Sequence, residues 1–272
     1  MIRVPDDTRG PTGFLPILDP MSNSPAHRPL ATRLVNRAWT AASAVIEVLM
    51  TGSTRRALAL TTRFAFLIGG AFTIGISVAV MLWNNLGAGP LDVFIGALRV
   101  HTGLPLAVAV WLTVGTLTSI AWMLGRRPGP GTLLAPLIVA PIMQTALAAL
   151  KTLEQPDFLA VRIVIHMIAI GAVGVGAGAV ITAGLGAGTG ELLASATAAR
   201  VGRKELHVRA CLELTWVTIG VLLGGPAGVG TIVFAFLIGP SVARGYRMVD
   251  SATSRARQQV ATTRQYALAA AS

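Results

Sequence analysis

Apolar residues in this chain come in long runs separated by short polar and glycine-rich segments. No charged residue falls within 64–91, 102–125 or 128–150, and 163–190 holds only His166 as a titratable group. Runs of this length match the roughly 20 residues that a helix needs to cross a hydrocarbon core of about 30 Å. The pattern predicts spans over 64–83, 105–124, 131–150, 160–182, 206–223 and 230–245. Two shorter segments, 90–100 and 189–200, would rise only about 18 Å over roughly 12 residues, too little to cross. They read as half-helices, re-entrant or buried against the other spans, because irregular backbone at membrane depth is tolerated only inside protein or beside a water-filled cavity. The predicted fold is an all-α polytopic integral membrane protein with about six transmembrane helices and two half-helices. Eight short spans are the alternative.

The runs repeat. Sliding the sequence by 99 residues places Gly75 on Gly174 and "LGAG" at 86–89 on "LGAG" at 185–188. It also places Asp92 on Glu191, Gly103 on Gly202, "GPGT" at 129–132 on "GVGT" at 228–231, and Pro141 on Pro240. Chance glycine matches are expected in so glycine-rich a chain. A single register that also includes Thr, Pro and an acidic pair points to a tandem duplication. The expected organisation is a polar N-terminal extension over 1–55, membrane repeats over 56–151 and 152–247, and a basic cytoplasmic tail over 248–272. Within the extension, 34–50 has the pattern of an interfacial amphipathic helix; alternatively, translation starts at Met50, with a short basic lead into the first span. The tail reads as a solvated or frayed helix.

Composition agrees with the pattern: 53% of residues are hydrophobic and 12% charged, against about a quarter charged in soluble domains. The net charge of +11 would fit nucleic acid, but the basic residues flank apolar runs, where the positive-inside bias puts them, and no aromatics interleave with them. Nucleic acid is therefore not an expected partner; the lipid bilayer is. With three crossings per copy the repeats are inverted, both termini are cytoplasmic, and Arg99, Lys151 and Arg162 fall outside. With four crossings the repeats are parallel and Arg126 and Arg127 fall outside. The lengths favour three. Cys211 is the single cysteine, which excludes an intramolecular disulfide and CxxC chemistry; it reads as a buried small hydrophobe.

Candidate chemistry gathers at the two breaks. Pro90 suits a first helical position, which puts Asp92 in the first turn, where a carboxylate accepts free backbone N–H groups and complements the helix end. Thr189 and Glu191 repeat that arrangement. One reading makes both acids structural caps; the other makes the paired half-helix ends a substrate or ion site, as broken helices are in secondary transporters. Glu213 lies inside a predicted span, where a carboxylate is costly and marks function or a buried pair. Arg209 is four residues earlier on the same face, placed to neutralise it; the repeat counterpart of Glu213 is Val114. Gly87, Gly89, Gly186, Gly188, Gly131 and Gly230 shape the breaks and loops, and Thr132 and Thr231 read as helix N-caps. Gly174 and Gly178 form a GxxxG pair for close helix approach. His166 reads as a hydrogen-bonded structural histidine, Asn84 and Asn85 as local backbone partners, and Gln144 as a pore-lining candidate. The glycine strings precede no lysine and follow no strand, so neither a P-loop nor a dinucleotide fold is indicated. No metal-ligand cluster, cofactor motif or catalytic set appears, and an enzyme is not expected.

"LGAGPLDV", a Gly-Pro-Gly-Thr loop, and "VRACLELTW…GVLLGGPAGVGTIVFAFLIGP" resemble the YczE/YitT-like family of bacterial integral membrane proteins, over about 60–247. The resemblance implies a cytoplasmic-membrane location and little about activity. Two function classes follow. One is a small-solute or ion transporter with its site at the paired half-helices. The other is a non-transporting membrane protein that binds and regulates a partner protein, or a second copy of itself, through its arginine-rich faces. A continuous polar cavity joining Asp92, Glu191 and Glu213 would favour transport, and a dry, fully packed interior the partner role.

Overall fold

The structure, a computed structural model, describes residues 53–271, with side chains over 59–254. Eight helices occupy that range: α1 (Ser53–Asn84), α2 (Pro90–Thr102), α3 (Leu106–Met123), α4 (Pro130–Leu150), α5 (Leu159–Ala183), α6 (Thr189–Val201), α7 (Glu205–Leu222) and α8 (Val229–Ala271). There is no strand among the described residues. The interfacial helix expected over 34–50 and the alternative start at Met50 lie outside the described residues.

The chain is a polytopic α-helical membrane protein. Among the described residues, five helices are long and apolar enough to cross a bilayer: Ala59–Asn84 within α1, then α3, α4, α5, and Val229–Ser254 within α8. Six were expected. The sixth, α7, has 18 residues but carries Glu205, Arg209 and Glu213, so composition alone does not class it as a span. Large apolar side chains such as Phe72, Trp122, Ile168 and Phe236 stand exposed on the outer faces, where water would penalise them and lipid accepts them. The short helices α2 and α6 have 13 residues each and match the predicted half-helices to within two residues. One helix ends far from its expected limit: α8 continues from the last span through the tail to Ala271, where two separate elements were expected.

The core is built where α1, α2, α3, α4 and α5 converge, on Val78, Met81, Ile95, Val110, Met143, Leu147 and Ile170. A smaller cluster of Ala121, Leu192, Leu193 and Ala196 fixes α6 against α3, backed by Leu212 and Trp216 of α7. Helix approach is set by glycine. A Cβ on Gly174 of α5 would stand 2.5 Å from the Ser241 carbonyl carbon of α8, and one on Gly178 would run into the backbone of Gly245 and Tyr246. The GxxxG reading thus holds, with α8 as the partner. Gly75 of α1 sits against Val139 and Ile142 of α4, three positions that the 99-residue shift carries onto Gly174, Ile238 and Ser241.

Candidate functional site

Each break starts as a span runs out. Asn85 takes a left-handed φ of 53°, and Gly87 and Gly186 take φ of 123° and 145°, values that a side chain makes costly. A Cβ on Gly87 would also stand 2.5 Å from Thr231 Oγ1, and one on Gly186 would stand 2.7 Å from Thr132 Oγ1. Both constraints demand glycine.

The breaks are held by the opposite half of the chain. Gly230 N–H donates to the Leu86 carbonyl at 2.7 Å, and Gly131 N–H donates to the Leu185 carbonyl at 2.8 Å. Thr132 Oγ1 donates to the Ala187 carbonyl at 2.6 Å, while Thr231 Oγ1 accepts from Ala88 N–H at 3.2 Å and from Gly228 N–H at 3.3 Å. The same 99-residue shift relates each partner of one cross-chain set to a partner of the other. These contacts correct the N-cap expectation for Thr132. Gly129 occupies the cap of α4 and no side chain caps it; Thr132 reaches across to the other break instead. Thr231, three residues beyond Gly228, also joins across as well as bonding near its own helix start.

Pro90 sits at the start of α2, with Asp92 in the first turn, and Glu191 holds the same place in α6. The N-cap residues are Gly89 and Gly188, and neither offers a side chain to the helix end. The carboxylates fold back onto those glycines. A Cβ on Gly89 would stand 2.8 Å from Asp92 Oδ2. A Cβ on Gly188 would collide with Glu191 Oε2.

A cavity of about 340 Å³ lies between the two helix starts, and Asp92, Glu191, Arg209 and Glu213 all line it, together with Pro90 and Thr189. Arg209 Nη1 pairs with Glu191 Oε1 at 2.9 Å, and Arg209 Nε pairs with Glu213 Oε1 at 3.0 Å. Three carboxyl groups thus share the cavity with one guanidinium, and the rest of the wall is mainly apolar, including Val114, Trp216 and Phe234. The Arg209–Glu213 pair follows from their spacing. The Arg209–Glu191 pair joins two helices, and no sequence pattern marked it. Among the described residues no group of His, Cys, Asp and Glu is placed to hold a metal ion.

The other singled-out residues lie elsewhere. His166 is buried, its Nε2 within 3.3 Å of the Gly230 carbonyl, as a structural histidine would be. Asn84 is fully buried, but its partner is distant, not local: Nδ2 donates to the Arg162 carbonyl at 2.7 Å while Arg162 Nη2 donates to the Asn84 carbonyl at 2.6 Å. Gln144 does not line this cavity; its Oε1 accepts from Ala107 N–H at 2.9 Å at the start of α3. Cys211 is free and exposed, against the buried position expected, because it faces an open groove beside Thr197 and Val201 of α6.

Residues 44–246 match a protein family described as a family of unknown function, DUF6198. The chain belongs to this family. Among curated relatives of the DUF6198 chain, an uncharacterised protein of Haemophilus influenzae is 29% identical over 170 residues, 62% of this chain and 76% of the relative. The uncharacterised membrane protein YczE of Bacillus subtilis is 29% identical over 187 residues, 66% of this chain and 83% of its own length. The YczE-like resemblance therefore holds. No solved structure gives a significant match to the DUF6198 chain.

Proposed function

We propose that this protein is a small-solute or ion transporter of the bacterial cytoplasmic membrane, with its site in the cavity between the starts of α2 and α6. One observation carries the reading: Asp92, Glu191, Arg209 and Glu213, drawn from three helices, line one cavity. Ionisable groups at membrane depth are costly and persist where they line a pathway or pair with one another. Here Arg209 offsets part of the acid, and the surplus carboxylate suits a cation, a protonated amine or a proton. The partner-binding alternative called for a dry, packed interior at this place, and the cavity counts against it. No catalytic role is assigned to these residues.

The reading of the core as a tandem duplication is supported by the paired bonds at the breaks. His101 Nε2 lies 3.0 Å from the Leu223 carbonyl and Arg200 Nε donates to the Leu124 carbonyl at 3.3 Å, again 99 residues apart on both sides. Inverted repeats, with both termini cytoplasmic, are the arrangement we favour, since such repeats place sites where broken helices meet.

A thermal-stability screen of the purified protein against ions and small metabolites tests the reading, with Asp92→Asn, Glu191→Gln and Glu213→Gln alongside. A ligand at about 100 times its dissociation constant stabilises a fold by roughly 2.7 kcal/mol. A hit that the carboxylate variants lose supports transport. If no compound shifts the wild type and the variants merely unfold earlier, the acids are structural.

A further inference from the structure

A second cavity, of about 700 Å³, is lined by Trp83, Asn85, Asp92, Arg99, Lys151 and Gln155 among others. Asp92, Ile95 and Met143 line this cavity and the first one alike, so a single layer of side chains separates the two. The electrostatics of the second cavity are opposite. Arg99 and Lys151 are its cations, Asp92 its one carboxylate, and neither cation belongs to an ion pair among the described residues. Glu154, three residues from Lys151, is exposed and does not line the cavity. Arg99 lies in the last turn of α2, where a cation complements the helix end, but that role needs no cavity and no second cation beside it.

Arg99 is half-buried and Lys151 exposed, and both line this one space without an acidic partner, which suits an anionic group that enters from outside. A guanidinium and an ammonium together match a phosphate oxyanion, the first through paired N–H donors and the second as a point charge. Asn85 adds an amide at the rim and Trp83 an apolar wall, while Trp83 Nε1 and the Gln155 side chain tie the 151–158 loop to the end of α1, so the lining is held from both sides.

We propose that this second cavity is an oxyanion site, in which Arg99 and Lys151 hold a phosphate group beside Asp92. The phosphate belongs to an anionic lipid headgroup or to a free solute. The site does not depend on the transport reading, because it is defined by residues on the far side of Asp92.

The test uses the full-length chain in phosphatidylcholine nanodiscs, melted with inorganic phosphate or with sodium chloride of matched ionic strength, and again in nanodiscs containing phosphatidylglycerol. Stabilisation by inorganic phosphate identifies a free oxyanion, and stabilisation by phosphatidylglycerol alone identifies the phosphate of an anionic lipid, since phosphatidylcholine carries its phosphate with no net charge. Either supports the site provided that Arg99→Gln and Lys151→Gln each weaken the apparent affinity at least about tenfold and the double variant abolishes the effect. No stabilisation by either probe, or equal stabilisation of the double variant, overturns it. Should the double variant fail to fold, Arg99→Lys combined with wild-type Lys151 keeps the charge and loses the paired donors. Weaker binding by that variant supports the site, and unchanged binding overturns it. The carboxylate variants of the first cavity separate the two claims: Glu191→Gln and Glu213→Gln leave phosphate binding unchanged.

Discussion

Replacing Gly174 by alanine adds one methyl group at the tightest point of the α5–α8 seam. The new Cβ would lie 2.5 Å from the Ser241 carbonyl carbon and 2.6 Å from Ser241 Cβ and O. Carbon atoms in contact sit about 3.5–4.0 Å apart, so relief requires a local separation of roughly 1 Å, and two of the three atoms are backbone that cannot rotate aside. Overpacking of this kind costs about 1–3 kcal/mol, against a gain of up to about 1 kcal/mol from replacing a helical glycine by alanine. Gly171, one turn earlier on α5, is the control: an added Cβ there meets nothing within 4 Å, so Gly171→Ala collects the propensity gain alone. For a unit of this size about 1 kcal/mol corresponds to 2–4 °C. The propensity gain is common to both variants, so Gly174→Ala melts at least about 2 °C below Gly171→Ala in lipid nanodiscs, followed by intrinsic tryptophan emission. Equal melting temperatures, or a more stable Gly174→Ala, would refute the claim that glycine sets this crossing.

Three further comparisons probe the site. Arg209→Gln strips the cation from two carboxylates, whereas Glu213→Gln leaves Arg209 paired with Glu191. Because these side chains are partly exposed, each pair is worth no more than about 1 kcal/mol, and Arg209→Gln should melt below Glu213→Gln; the reverse order contradicts the shared pairing. Thr231→Val orphans two backbone donors and Thr132→Val one carbonyl. Of these bonds only the one from Ala88 N–H is fully buried, and a buried donor left unmade costs about 1–3 kcal/mol, so urea titration should rank Thr231→Val as the more damaging; equal midpoints would count against the bonding described. Asn84→Leu leaves the Arg162 carbonyl without its donor and should cost about 2 kcal/mol in the same titration; a neutral result would mean that the clamp holds nothing.

The helices were legible in the sequence because lipid imposes a simple code. The apolar runs over 131–150 and 160–182 correspond to α4 and α5 within one residue at each end, and Pro90 and Gly103 bracket α2. Asp92 and Glu191 stood out by their places at the two breaks, and Glu213 by its place in an apolar stretch; all three line one cavity. What escaped was pairing between elements. Spacing on one helix exposes Arg209 with Glu213, but Glu191 lies across a loop on α6, and only packing brings it to Arg209. Asn84 was read with its chain neighbours, yet its partner Arg162 is 78 residues away. Thr132 and Thr231 stand near helix starts as caps do, while the space they fill belongs to the other break. Cys211 lies on an apolar helix, and periodicity cannot say that its face opens onto a groove.

The central claim is that the cavity between the half-helices is an accessible site with surplus negative charge. Val114 lines that cavity, and Cys211, the single cysteine, is replaceable by serine to give a clean background. The decisive measurement is the labelling rate of Val114→Cys in Cys211→Ser protein, in proteoliposomes, by small cationic and anionic methanethiosulfonates. With three carboxyl groups facing one guanidinium, the cationic reagent should be favoured about tenfold more than it is with a free thiol in solution, and Asp92→Asn should shrink that ratio. A thiol that neither reagent reaches, or one that shows only the rate ratio of a free thiol, would contradict the account.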